Sequence, residues 1–210
     1  MRGDLKTKRG TNNYSIPVLP SLFKEKDLPI SPYALGLLLG DGSLTQKSIH
    51  FHNSRLELHE ALHRELYKYN FSEPVFRNGC YESVSEVSFS QILCDLKLNK
   101  KSVEKFIPNI YIHSSINQRM SLVRGLMDTD GTIGVNSNCS FSSSNERLKD
   151  DFLQLCESLG IRYKVGLKHT TFTQNGEKHK GKLSYIAVFY SMKRHNTKVE
   201  NQHMWIGSPS

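Results

Sequence analysis

One ten-residue pattern occurs twice, and any fold for this chain must accommodate both copies. The first runs Tyr33-Ala34-Leu35-Gly36-Leu37-Leu38-Leu39-Gly40-Asp41-Gly42, the second Leu122-Val123-Arg124-Gly125-Leu126-Met127-Asp128-Thr129-Asp130-Gly131. Each is apolar, of helix length, carries an internal Gly and ends in Asp-Gly. Ser31 is a good N-cap, and Pro32 suits the first helical position, where a missing N–H costs nothing. Gly42 and Gly131 fit the left-handed residue just past a helix end. Gly36 with Gly40, and Gly125 with Thr129, put small residues four apart on one face. Such a stripe lets two helix backbones approach closely. Two core helices would explain all of this except the acids. Asp41 and Asp130 fall at helix C-termini, where the dipole is negative and a carboxylate is unfavourable. A cation nearby reverses that cost. Two such helices packed with the same polarity bring the carboxylates together, and these repel unless a proton or a metal intervenes.

The segments downstream of the two copies also repeat each other. After Asp41 come Gly-Ser-Leu, then Ser48-Ile49-His50-Phe51-His52-Asn53-Ser54, then a helical pattern from Leu56 to Tyr69. After Asp130 come Gly-Thr-Ile, then Cys139 to Ser144, then a helical pattern from Arg147 to Leu159, with Gly160 as its C-cap. Phe51 corresponds to Phe141 and Leu58 to Leu148. Further strands are expected near Pro74–Arg77 and Val84–Ser90, and near Ile161–Lys168 and Leu183–Tyr190. A short helix (Ile92–Leu98) and a basic one (Lys100–Phe106) complete the first repeat. The reading is an α+β fold, αββαββα twice, with helices on one face of each antiparallel sheet. It divides the chain into a basic lead-in (1–30, with Met1 to Asn13 expected to be mobile), a first repeat (31–113), a second repeat (114–194) and a tail (195–210).

Strand alternation then assigns faces. Ile49 and Phe51 point inward, leaving Gln46, Ser48, His50 and His52 outward. Asn138, Ser140, Ser142 and Ser144 share the outward face of the second hairpin. In 162–168 the apolar residues take one side and Arg162, Lys164 and Lys168 the other. These are side chains that read base edges and hold phosphates, and a β-ribbon fits a DNA major groove. The chain carries 28 Lys+Arg against 20 Asp+Glu, net +8, which favours a polyanionic partner. No apolar run reaches a membrane span, so a soluble intracellular protein is expected. Cys80, Cys94, Cys139 and Cys156 lack the spacing of a zinc or disulfide framework. His59 and His63 have the i,i+4 spacing of a helical metal pair, but not the H-E-x-x-H context.

The paired stretches ALGLLLGDG and VRGLMDTDG resemble the motifs of LAGLIDADG homing endonucleases. The first copy departs at Leu39 and Gly40, where the second has Asp128 and Thr129; the final acid is kept in both. The resemblance implies a pseudo-symmetric monomer with two sheets forming a DNA-binding saddle. It implies that Asp41 and Asp130 are the catalytic, metal-binding residues, holding Mg²⁺ at the scissile phosphates of double-stranded DNA. The backbone carbonyls of Gly40 and Thr129 are further metal ligands by the same analogy. The implied reaction is a metal-dependent double-strand break by phosphodiester hydrolysis at a long target. Family members often place a basic residue near the attacking water, and Lys182 and Lys193 are candidates. The lead-in ending Leu28-Pro29-Ile30-Ser31-Pro32 resembles that of intein endonuclease segments. His195-Asn196-Thr197 fits a splice junction literally, but Met1 is not the nucleophile that splicing needs. An RNA-binding intron maturase and an inactive DNA-binding relic are the alternatives on the same fold. Trp205, in the tail, has no functional reading.

Overall fold

The computed structural model describes residues 20–134, 139–174 and 177–189, with backbone alone at 170–174, 177–180 and 182. The first repeat is built of α1 (Pro32–Asp41), β1 (Gly42–Ser43), β2 (His50–Asn53), α2 (Leu56–Glu65), β3 (Val75–Arg77), β4 (Cys80–Val84) and α3 (Val87–Asp95). A short α4 (Asn109–Ile112) leads into α5 (Ile116–Asp130). The second repeat continues with β5 (Gly131–Ile133), β6 (Cys139–Ser143), α6 (Glu146–Ser158), β7 (Tyr163–Gln174) and β8 (Glu177–Phe189). Each repeat makes one four-stranded antiparallel sheet, in the order β1-β2-β4-β3 and β5-β6-β8-β7. The same topology twice is the duplication expected from the sequence.

The two motif helices form the centre. Ala34 to Leu39 are all buried, so α1 is apolar all round because it has protein on every side. The seam with α5 is set by the small residues. A Cβ on Gly36 would lie 2.6 Å from the Leu122 carbonyl oxygen and 2.8 Å from the Gly125 Cα. A side chain there would force the backbones apart. Gly40 faces the Thr129 side chain, so the position where the first motif departs from the second is matched across the seam. Small in one helix meets larger in the other.

Several elements differ from the sequence expectation. Gly42 and Gly131 are extended, with φ −82° and −90°, not left-handed. Glycine is needed there for closeness: each helix turns straight into a strand, and a Cβ on Gly42 would lie 2.5 Å from the Leu38 carbonyl oxygen. By contrast Gly160 is left-handed (φ 73°) and closes α6 in a Schellman motif, with Ile161 N–H donating to the Cys156 carbonyl at 2.9 Å. The expected strand at 84–90 is Cys80–Val84, with helix α3 directly after it. An Asn78-Gly79 turn with positive φ at both residues sets the hairpin back towards the chain start. The expected basic helix at 100–106 is only a 3₁₀ turn, Ser102–Glu104. Val165 and Leu167, expected inward, are 45% and 64% exposed. They take the helix-side face, but β7 is long enough to run past the helix that covers it.

The described part of the lead-in is strapped to the second repeat. Arg119 is fully buried in α5 and donates to the carbonyls of Ser114, Ser158 and Ser21. Gln118 exchanges hydrogen bonds with the Lys26 backbone. No described helix is long and apolar enough to cross a membrane. The expectations for Met1 to Asn13, for Asn138, Lys193 and the tail, and for the Lys182 side chain lie outside the described residues.

Candidate active site

Parallel packing of α1 and α5 puts Asp41 and Asp130 at neighbouring helix ends, and the Asp41 charge is felt at Asp130. The Asp130 carboxyl is pushed up to about 6, first by burial and then by the Asp41 charge, with Lys105 opposing. Like charges sharing a partly desolvated site behave in this way. A divalent cation between them would relieve the repulsion. The donors here are carboxylate and backbone oxygens, with no thiolate or imidazole among them, and that set suits Mg²⁺ and its relatives. The residues therefore fit the metal that the fold family implies. Of the two backbone carbonyls expected as ligands, that of Gly40 already accepts from Lys105 Nζ at 3.3 Å and keeps a second lone pair. Thr129 turns its hydroxyl back onto its own helix, donating to the Leu126 carbonyl at 3.1 Å.

Lys105 is the residue that sequence reasoning missed. It is 2% exposed, and its ammonium donates to the carbonyls of Leu38 (3.1 Å), Leu39 (2.9 Å) and Gly42 (2.7 Å) besides Gly40. These carbonyls lie at the C-terminal end of α1, where a cation is stabilised by the dipole; that of Leu38 also accepts from the Gly42 N–H. The cation that the sequence demanded beside Asp41 is thus part of the chain itself. Burial pulls the Lys105 pKa down to about 8, and the charges of Asp130 and Asp41 hold it from falling further, so it is charged at neutral pH. In the sequence Arg194 follows Asp130 at the separation by which Lys105 follows Asp41; Arg194 and the neighbouring Lys193 lie outside the described residues.

Asn53 is the second missed residue. It closes β2 on the helix side of the sheet and donates from Nδ2 to Asp41 Oδ2 at 2.6 Å. Its carbonyl faces His59 Nε2 at 3.3 Å, while His59 Nδ1 lies 2.7 Å from the Ser83 hydroxyl. His59 is fully buried, and burial lowers its pKa. Both its nitrogens are engaged, so the i,i+4 pairing with His63 is not a metal site here. Asp128 is also engaged, accepting from the Tyr33 hydroxyl at 2.7 Å across the seam.

The open sheet faces hold most of the expected polar residues. Phe51 is fully buried, which turns His50 and His52 outward on β2; Gln46 is exposed and Ser48 half-buried in the preceding loop. Cys139 and Phe141 are buried, which turns Ser140 and Ser142 outward. In the second sheet Ser140 pairs with Val188, and Val188 with Lys164, so Ser140 and Lys164 share that face. Lys168 is exposed on the same strand, and Arg162 is exposed just before it. The first sheet carries an acid that the sequence did not place there: Glu82 on β4 lies against both His50 and His52.

Local signals for the missed residues are thin. Lys105 precedes the apolar run Phe106-Ile107-Pro108, and its burial depends on that loop folding back under α1. Asn53 stands at the end of the alternating His50-Phe51-His52, on the Phe51 side, which is the sole clue that it points inward.

Comparison with known proteins agrees with this architecture. Residues 117–197 match the family model of a LAGLIDADG-like domain. A replicative DNA helicase DnaB of Mycobacterium intracellulare is 26% identical over 174 residues, which is 81% of this chain and 25% of the helicase. The chain thus spans about a quarter of the length of that relative. Among solved structures, I-DmoI in complex with DNA and Mn is 17% identical, with a TM-score of 0.51 over 76% of this chain and 88% of that one. I-DmoI in complex with DNA and Ca is 16% identical, with the same TM-score, over 76% of this chain and 82% of that one. The motif helices, the duplicated sheets and the match over the second repeat agree: the chain has the fold of the homing endonuclease I-DmoI, and its second repeat is similar to a LAGLIDADG-like domain.

Proposed function

We propose that this chain is a site-specific DNA endonuclease that hydrolyses both strands of a long duplex target with the help of a divalent cation, Mg²⁺ in the first instance. The observation that carries this reading is the pair of acids at the parallel ends of α1 and α5, where Asp41 raises the pKa of Asp130. Two carboxylates held in repulsion by a rigid helix seam are a poor structural choice and a good cation site. The bound cation would supply charge neutralisation at the scissile phosphate and a more acidic water.

The rest is done by the chain. Asp41 and Asp130 hold the cation, each chiefly serving one strand. Asn53 fixes the orientation of Asp41. Lys105 ties down the end of α1 and offsets the charge of both acids. The open faces, with Gln46, Ser48, His50, His52, Ser140, Ser142, Arg162, Lys164 and Lys168, contact the duplex on either side; on sequence grounds Asn138 is assigned to the same role, and Lys182 and Lys193 are the candidate basic residues near the attacking water. The repeats at 31–113 and 114–194 make the module a pseudo-symmetric monomer. The similarity to a quarter-length segment of a replicative helicase favours a module carried within a longer protein, as the endonuclease segment of an intein would be.

The test is cleavage of a randomised duplex library in Mg²⁺, with the ends sequenced. Paired cuts at one long motif are expected, lost or reduced to single-strand nicks in Asp41→Asn and Asp130→Asn. Folded protein that binds duplex DNA but cuts nothing would overturn the catalytic reading and leave a maturase or a relic. Chelation by EDTA should abolish cutting and restoration of Mg²⁺ should recover it.

A further inference from the structure

His50, His52 and Glu82 converge on the open face of the first sheet. The period of two puts both histidines of β2 on one side. The register sets His52 opposite Glu82 on β4 and His50 opposite the neighbouring Val84. His50 Nδ1 lies 2.6 Å, and His52 Nε2 3.1 Å, from the same oxygen, Glu82 Oε1. The two rings lie nearly parallel, 10° apart in plane, with centroids separated by 5.9 Å. One ligating atom from each residue falls within 4.8 Å of the other two.

A sheet face whose sole task is to hold phosphates has no use for a carboxylate at its middle. Glu82 is only 19% exposed, and Arg77 stands 4.0 Å from its second oxygen. The hydrogen bond from His50 holds the Glu82 carboxyl below the usual range, so it is ionised. Two imidazole nitrogens and one carboxylate oxygen, carried on paired strands, form a three-ligand set with an open side towards solvent. Imidazole with carboxylate suits Zn²⁺ and its neighbours, whereas the all-oxygen set at Asp41 and Asp130 suits Mg²⁺.

We propose that His50, His52 and Glu82 form a binding site for a divalent transition-metal cation of the Zn²⁺ class, distinct from the carboxylate centre between the motif helices. The site goes beyond the endonuclease reading and does not depend on it. It requires only small changes at the side chains, since both rings already point at the shared oxygen. The fourth position faces outward and is open to water or an anionic oxygen.

The experiment uses the intact protein, stripped with chelator and titrated with Zn²⁺ without DNA; Co²⁺ serves as the spectroscopic probe. One equivalent is expected to bind, with the visible absorption of four-coordinate Co²⁺. His50→Ala, His52→Ala and the near-isosteric Glu82→Gln should each weaken binding by at least about tenfold, since loss even of an outer-shell partner commonly costs that much. Asp41→Asn and Asp130→Asn should leave it unchanged. Circular dichroism confirms that each variant is folded. Failure to bind at up to about 100 µM Zn²⁺ would overturn the proposal, that being weaker than any ordinary three-ligand site. So would binding that all three variants leave intact.

Discussion

The two repeats share a topology, but their described residues surround the two acids differently. In the first, the end of the motif helix is closed by Lys105 on four carbonyls, and its acid is held by Asn53 at 2.6 Å. In the second, no described hydrogen bond reaches the Asp130 carboxylate, and its pKa is pushed up to about 6. The residue that corresponds to Asn53 is Ser143, and its hydroxyl serves the Asn145 backbone instead. Among the described residues, then, the scaffold is common to the two repeats and the hydrogen bonding at the acids differs. The seam between the helices is the symmetric part, because each backbone sees the other at the same depth. The polar surroundings of the acids are the asymmetric part.

The seam should show the largest effect on stability. Gly36 and Gly125 stand against each other, and a Cβ on either meets backbone atoms, which cannot swing away as a side chain can. Gly125→Ala and Gly36→Ala should each cost about 3 kcal/mol, the upper range for overpacking in a tight core. Urea denaturation measures this. If the seam is symmetric the two losses agree closely; a large difference between them would break that half of the comparison.

Asp130 should show the next largest effect, and in the opposite direction. An acid whose pKa folding has raised favours the folded state most when it is protonated. Its contribution is full below its ordinary value and is lost as pH rises through about 6. In metal-free protein, Asp130→Asn should therefore be stabilising at pH 7, by about 2 kcal/mol given partial exposure, with the gain disappearing towards pH 4. Thermal melts in EDTA at the two pH values test it. Asp41→Asn sharpens the comparison further. It removes a charge that raises Asp130, so the Asp130 titration followed by NMR should move down. A midpoint that stays put would show that burial alone sets the value.

Much of this was legible in the chain, for identifiable reasons. The two motif helices, the hairpins at Phe51 and Phe141 and the C-cap at Gly160 are written locally, by apolar period, alternation and one left-handed glycine. The central acids were legible because a carboxylate at a helix C-terminus has no local justification. Lys105 and Asn53 were not, because their roles are set by partners outside their own element, 63 to 67 residues away for Lys105. No periodicity carries such a contact. Lys182 and Lys193 were sought by analogy on the strand side, whereas the cation found in the first repeat comes from the loop before α4. Glu82 was not legible either, since cross-strand register decides whether an acid meets His50 and His52. Gly42 and Gly131 were expected to be left-handed helix caps, whereas they serve a tight helix-to-strand passage with negative φ.

The smallest effect separates the repeats most directly. Asn53→Ala deletes a hydrogen bond to an ionisable oxygen of Asp41 and another from Arg55 N–H, which the Asn53 side-chain oxygen accepts at 2.8 Å. A loss of about 1–2 kcal/mol is expected, as for a bond to a charged group. Ser143→Ala, at the corresponding position, deletes only a weak local turn bond and should cost under about 0.5 kcal/mol. In cleavage, Asn53→Ala should slow the cut that depends on Asp41 and spare the other, so nicked duplex accumulates with one strand preferred. Ser143→Ala should leave the two strands as the wild type does. Equal slowing of both strands by Asn53→Ala would mean that the two acids act as a single unit, and that the asymmetry seen in the hydrogen bonds is not expressed in the chemistry.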